Sequence, residues 1–141
     1  GRVRRSESLC RHTARESGVR VLGAARAPGP VGGLVEDGAG DAHVSAVCGV
    51  CDIVVVSLPG GAQVEAVLAA AHGRAGGQIV IDMSTSPVGL TRALAARLAP
   101  LGIRFADAPV ARTRAAAIDG TLSIMVGADD DLFADIRPLL A

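Results

Sequence analysis

Asp52-Ile-Val-Val-Val-Ser-Leu-Pro59, Gln78-Ile-Val-Ile-Asp-Met-Ser-Thr85 and Ile103-Arg-Phe-Ala-Asp-Ala-Pro-Val110 are three strand-like runs, each ending in a small loop. The first two are near-continuous β-branched runs. Such runs suit strands covered on both faces, as in the parallel sheet of an α/β fold. In that kind of sheet, ligands bind beyond the carboxyl ends of the strands. Ser57-Leu58-Pro59, Ser84-Thr85 and Pro109-Val110 stand at those ends and are where function is expected.

Between the runs the chain reads as helix. The stretch 63–71 is a helix with a glycine-rich stop at 73–77. Ser86 is expected to cap the next helix, with Pro87 in its first turn. Leu90, Leu94, Leu98 and Leu101 recur at helical spacing as one buried stripe, and Gly102 closes the helix. A further strand is expected at 122–126, then a last helix opened by Asp129-Asp-Asp131 through capping and favourable dipole charge. A metal site at that triplet is the sharper alternative. Upstream, 6–16 reads as a weak helix, 19–26 as a strand weakened by Gly23, 27–40 as a loop with at best a short helix near Leu34-Val35, and 44–50 as a short helix. The alternation predicts one doubly wound, Rossmann-like parallel sheet in neighbouring order, an α/β fold.

With 141 residues, half of them apolar, the chain is one domain with a real core. Its formal net charge is zero and it has no basic run with interleaved aromatics, so no nucleic-acid partner is expected. No apolar stretch nears the roughly 20 residues of a membrane helix, and the start resembles neither a signal nor a transit peptide. A cytoplasmic setting, with no membrane partner, is the expectation. The chain contains no Lys, Asn, Tyr or Trp. That excludes Schiff-base chemistry and a Walker A lysine from these residues. Of the three cysteines, Cys48-Gly-Val-Cys51 forms a C-x-x-C that leads into a strand rather than out of one. Zinc or redox use stands beside the plainer reading of small core residues, which the lack of further ligands at short spacing favours.

From Asp52 onward the chain resembles the β-hydroxyacid dehydrogenases, which include 3-hydroxyisobutyrate dehydrogenase and tartronate semialdehyde reductase and are related to 6-phosphogluconate dehydrogenase. Leu58-Pro59, Ile81-Asp-Met-Ser-Thr-Ser-Pro87, Asp107-Ala-Pro-Val110 and Gly120-Thr-Leu-Ser-Ile-Met-Val-Gly127 carry the match, in order and at the right spacing. The resemblance implies a Rossmann domain that binds NAD(P), followed in the family by an all-helical domain that completes the substrate site and supplies a catalytic Lys. It places Leu58, Pro59 and Gln63 on the cofactor loop and Thr85 beside the nicotinamide ribose. Ala111, Arg112 and Thr113 stand where the family often has Ser-Gly-Gly against the substrate carboxylate. Arg26 falls where an Arg often meets the 2′-phosphate of NADP, which favours NADP, with NAD as the alternative.

The N-terminal third matches less well. Gly1-Arg-Val-Arg-Arg-Ser6 falls on the family's Gly-x-Gly-x-x-Gly turn, and there Gly1 alone keeps the pattern as a cofactor residue; Val3 and Ser6 replace the other glycines. The expectation is therefore a partial NAD(P)-binding domain over 1–141, poorly matching at 1–45 and well matching at 52–127. Its first strand and the helical C-terminal domain are expected to be absent, and its stability low. By resemblance the parent enzyme transfers hydride between the nicotinamide and a small 3-hydroxy acid, and a homo-oligomer is an open expectation. These residues alone, having no Lys, are expected to be inactive, and no catalytic residue or metal ligand is assigned to them. A non-catalytic or vestigial nucleotide-binding domain is the alternative.

Overall fold

The computed structural model describes residues 20–24, 40–70, 76–111 and 113–140. The helix expected at 6–16, Cys10 and the 34–35 segment lie outside the described residues.

Strands β3 (Ile53–Val56), β4 (Ile79–Asp82) and β5 (Arg104–Asp107) form a parallel sheet in the order β3-β4-β5. The register is direct: Ile53 lies opposite Ile79, and Ile79 opposite Arg104. Helices α1 (Val44–Val50), α2 (Gly61–Ala70) and α3 (Val88–Leu98) precede or connect these strands, and α5 (Asp130–Leu140) follows.

Successive strand residues point to opposite faces, so the apolar runs feed two cores. Val54, Val56 and Val80 face the first, with Cys48 from α1, Val64 from α2, and Leu94 and Leu98 from α3. Ile81 and Ala106 face the second, with Leu132 and Ile136 from α5. The sheet is thus covered on both faces, which is the physical reason its strands carry few polar positions. The Rossmann-like parallel α/β reading holds.

Several local expectations are corrected. Ser86 does not cap α3: Pro87 holds the cap position and no side chain accepts there. Leu101 leaves the buried stripe, because Ala99–Leu101 tightens into a 3-10 turn at Pro100. That change of period turns Leu101 out to 55% exposure. Gly102 takes a left-handed φ of 72° and passes Gly76 so closely that a Cβ would sit 3.1 Å from the Gly76 Cα. The strand expected at 122–126 is short and not parallel. Strand β7 (Ser123–Ile124) pairs antiparallel with β6 (Val110–Ala111), and Asp107 bridges Gly127 in the same sense. The intervening helix α4 (Arg114–Ile118) spans a little over one turn, too short to carry the chain back across a sheet face.

Upstream, β1 (Leu22–Gly23) pairs parallel with β2 (Gly40–Asp41), which corrects the loop expected to run through Gly40. Among the described residues no strand joins this pair to β3. The C-x-x-C packs as core: Cys48 is buried, Cys51 ends α1, and both thiols are free. Burial pushes both thiols up from their ordinary value, which disfavours the reactive thiolate. Gln78, 3% exposed, holds that helix end. Its Nε2 donates to the carbonyls of Cys48 and Cys51 at 2.8 Å each, groups a helix C-terminus leaves open. Among the described residues no helix is long and apolar enough to cross a membrane.

Leu94 is the test of the first core. Buried to 2% exposure, it should cost about 2–5 kcal/mol when truncated in Leu94→Ala. Urea unfolding measures this, whereas Leu101→Ala, on an exposed side chain, should change stability by less than about 0.5 kcal/mol.

Candidate functional site

The ladder that aligns β3, β4 and β5 also aligns the loops leaving their carboxyl ends. Met83 N–H donates to the Val56 carbonyl at 2.8 Å, and Ala108 N–H to the Asp82 carbonyl at 2.7 Å, so pairing runs one residue past the strands. Beyond it lie the loops 57–60, 83–87 and 108–109.

Two of these loops are tied together by Ser84, which is buried. Its Oγ accepts from the Leu58 N–H at 2.9 Å, and its own N–H donates to Asp82 Oδ1 at 2.9 Å. Ser86 Oγ donates to Asp82 Oδ2 at 3.3 Å. The serine expected to cap a helix therefore closes a loop onto a strand-end carboxylate. The start of α2 presses on the same loop. A Cβ added at Gly61 would run into Leu90 Cδ2 and come within 3.3 Å of Ser86 Oγ. Any larger residue there would have to displace the Leu90 side chain.

Asp82 is fully buried. Asp107, its direct partner on β5, is half-buried, and its Oδ1 is buried and among the described residues has no hydrogen-bond partner. Burial, and then the charge of Asp82, push the Asp107 carboxyl above its ordinary value. Sequence reading used both residues only as family motif letters. Two aspartates ending two runs that pair in register were the available signal.

The expected cofactor residues converge in part. Leu58, Pro59, Gln63 and Thr85 all lie on this rim or on the first turn of α2. Thr85 and Pro59 are exposed and Gln63 is half-buried. Leu58 instead turns its side chain into the first core, and its N–H is taken by Ser84. The residues expected at the substrate lie elsewhere on the edge. Ala111 sits in β6 opposite Ser123. Thr113 caps α4, its hydroxyl accepting from the Ala116 N–H at 3.3 Å. Gly1, Arg26 and Arg112 lie outside the described residues.

At the start of α2 the Gln63 and Val64 N–H groups donate to the Gly60 carbonyl at 3.1 and 3.2 Å, which leaves the Gly61 and Ala62 N–H groups as those without an acceptor inside the helix.

Comparison with known proteins agrees with this geometry. Residues 7–141 match the NAD binding domain of 6-phosphogluconate dehydrogenase. A 3-hydroxyisobutyrate dehydrogenase from Pseudomonas aeruginosa is 37% identical over 120 residues, covering 80% of this chain and 40% of that protein. A 2-hydroxy-3-oxopropionate reductase from Escherichia coli is 39% identical over 93 residues, 62% of this chain and 32% of that protein. Among solved structures, a Mycobacterium tuberculosis 3-hydroxyisobutyrate dehydrogenase with L-serine superposes with a TM-score of 0.89 at 25% identity, over 98% of this chain and 48% of that one. The chain thus spans about half or less of the length of these relatives. Its fold, its rim and its sequence agree: the chain belongs to the family of the NAD binding domain of 6-phosphogluconate dehydrogenase, the cofactor-binding domain of the hydroxyacid dehydrogenases.

Proposed function

We propose that the rim at the carboxyl ends of β3 and β4 binds NADP(H), with NAD(H) as the weaker ligand, as the cofactor domain of an enzyme acting on a small 3-hydroxy acid. The observation that carries this reading is the Ser84 tie, which fixes the loop bearing Thr85 against the loop bearing Leu58 and Pro59. Two loops held in one geometry before a ligand arrives lose little freedom on binding it, which is what pre-organisation supplies.

In this reading the cofactor supplies hydride chemistry at its nicotinamide. The chain's own residues bind and orient it. Pro59 offers an apolar edge to the rim. The Gln63 side chain and the Gly61 and Ala62 amides that open α2 supply donors for phosphate oxygens. Thr85 presents a hydroxyl to the nicotinamide ribose, and Ala111, Arg112 and Thr113 border the place of the substrate carboxylate. Arg26 supplies the charge that meets a 2′-phosphate. A related solved structure is described as a complex with NADP+; it superposes with a TM-score of 0.85 at 26% identity, which supports that choice of cofactor.

Fluorescence titration of the purified chain tests the reading. NADPH should bind more tightly than NADH, and Arg26→Ala should erase the difference. Tighter NADH binding that Arg26→Ala leaves unchanged would reverse the cofactor assignment, and no binding of either dinucleotide would overturn the function itself.

Ser84→Ala separates the tie from the fold. Removing the hydroxyl leaves the Leu58 N–H without its acceptor, at a cost of about 1–3 kcal/mol in stability. It should also weaken dinucleotide binding roughly fivefold, the equivalent of about 1 kcal/mol of lost pre-organisation. Calorimetric titration well below the unfolding midpoint reads the second effect apart from the first.

A further inference from the structure

Asp82 and Asp107 are direct partners in the β4–β5 register, so both side chains leave the sheet on the same face at its carboxyl edge. Two like charges opposite one another on paired strands destabilise the pairing. The two carboxyls are treated unequally by their surroundings. Asp82 is fully buried and receives one donor on each oxygen, the Ser84 N–H on Oδ1 and the Ser86 hydroxyl on Oδ2. Asp107 has a buried Oδ1 that no donor among the described residues reaches. An ionised carboxylate only accepts hydrogen bonds, while a protonated one carries a donor of its own. The arrangement therefore suits Asp82 as the acceptor and Asp107 as the bearer of a proton.

The other charged groups on the elements around the pair are engaged elsewhere or exposed. Arg104 on β5 pairs with Asp135 of α5, and Arg97 of α3 pairs with Glu65 of α2. Asp129 accepts from the Leu132 N–H at the start of α5. Arg92, Asp130, Asp131 and Arg137 are exposed. Among the described residues no cation pairs with Asp82 or Asp107.

We propose that Asp82 and Asp107 form a carboxyl pair holding a single proton, seated on Asp107, and that this proton keeps the 84–86 loop latched to the end of β4. With the proton in place, Asp82 faces a neutral neighbour and holds both of its donors. Without it, two negative charges face each other across β4 and β5, and the edge that anchors the rim is strained. The direction of the Asp107 shift, raised by burial and then by Asp82, agrees. A carboxyl raised in the folded state contributes stability that is complete below its unfolded value. That contribution is lost as pH rises through its folded value. The latch is thus tighter below the raised Asp107 value and looser above it.

The pair rests on register and burial rather than on the proposed cofactor, so its test needs no ligand. Carbon-13 NMR of the Asp side-chain carboxyls across a pH series should show Asp107 titrating above the ~3.9 of a free aspartate. Asp82→Asn should move that titration downward, since it removes the facing charge. Thermal unfolding of the wild type and of Asp107→Asn across the same series should diverge, the variant gaining several degrees relative to the wild type as pH rises. An Asp107 that titrates at or below the ordinary value, a titration that Asp82→Asn leaves in place, or a difference in unfolding midpoint that stays constant with pH would each overturn the pair. If Asp107→Asn does not fold, the titration in the wild-type chain decides by itself. Failure of dinucleotide binding would overturn the proposed function and leave this result standing.

Discussion

Strand β4 is hydrogen-bonded along both edges, to β3 on one side and β5 on the other. Both ends of the strand have a structural task. At its entry, Gln78 holds the last carbonyls of α1. Along its length, Val80 faces one core and Ile81 the other. At its exit, Asp82 and Ser84 gather the loops that form the rim. A parallel ladder makes this work because its slanted, evenly spaced bonds fix the relative height of neighbouring strands. Once those heights are set, the loops leaving the three strands emerge side by side and a short serine suffices to join two of them.

The rim combines close packing with polar satisfaction. Gly61 lets α2 press on the 84–87 loop, and the hydroxyls beneath it are each engaged in a hydrogen bond. Buried polar groups are costly unless paired, so the network specifies one loop geometry over its alternatives. Asp107 Oδ1 departs from this rule among the described residues, and a proton on that carboxyl would remove the charge it otherwise buries.

Away from the rim, the edge formed by β6, α4 and β7 follows a different logic. The chain reverses instead of crossing over, and Thr113 caps a helix of five residues. Ile118 and Met125 on this edge are 64% and 57% exposed. Their exposure contrasts with the two closed cores and marks this edge as a less tightly packed part of the described fold.

Period and composition determined the sheet. Near-continuous β-branched runs suit strands covered on both faces, and Ile53–Val56 and Ile79–Asp82 form such strands, with Arg104–Asp107 as the third strand of the sheet. The same pattern pointed to the strand ends as the place for a ligand, and the motif residues identified the family. Tertiary structure decided the rest, because it depends on contacts between residues far apart in the chain. Ser86 could cap a helix or bond an aspartate, and the distance to Asp82 chose the second. Leu101 keeps helical spacing in sequence but loses it where the helix tightens at Pro100. The strand near 123 turned antiparallel because a five-residue helix cannot carry the chain over a sheet. Gln78, separated by about 30 residues from the carbonyls it holds, gave no local sign of that task. The facing of Asp82 and Asp107 likewise existed only as register, since two aspartates 25 positions apart have no relation until two strands align them.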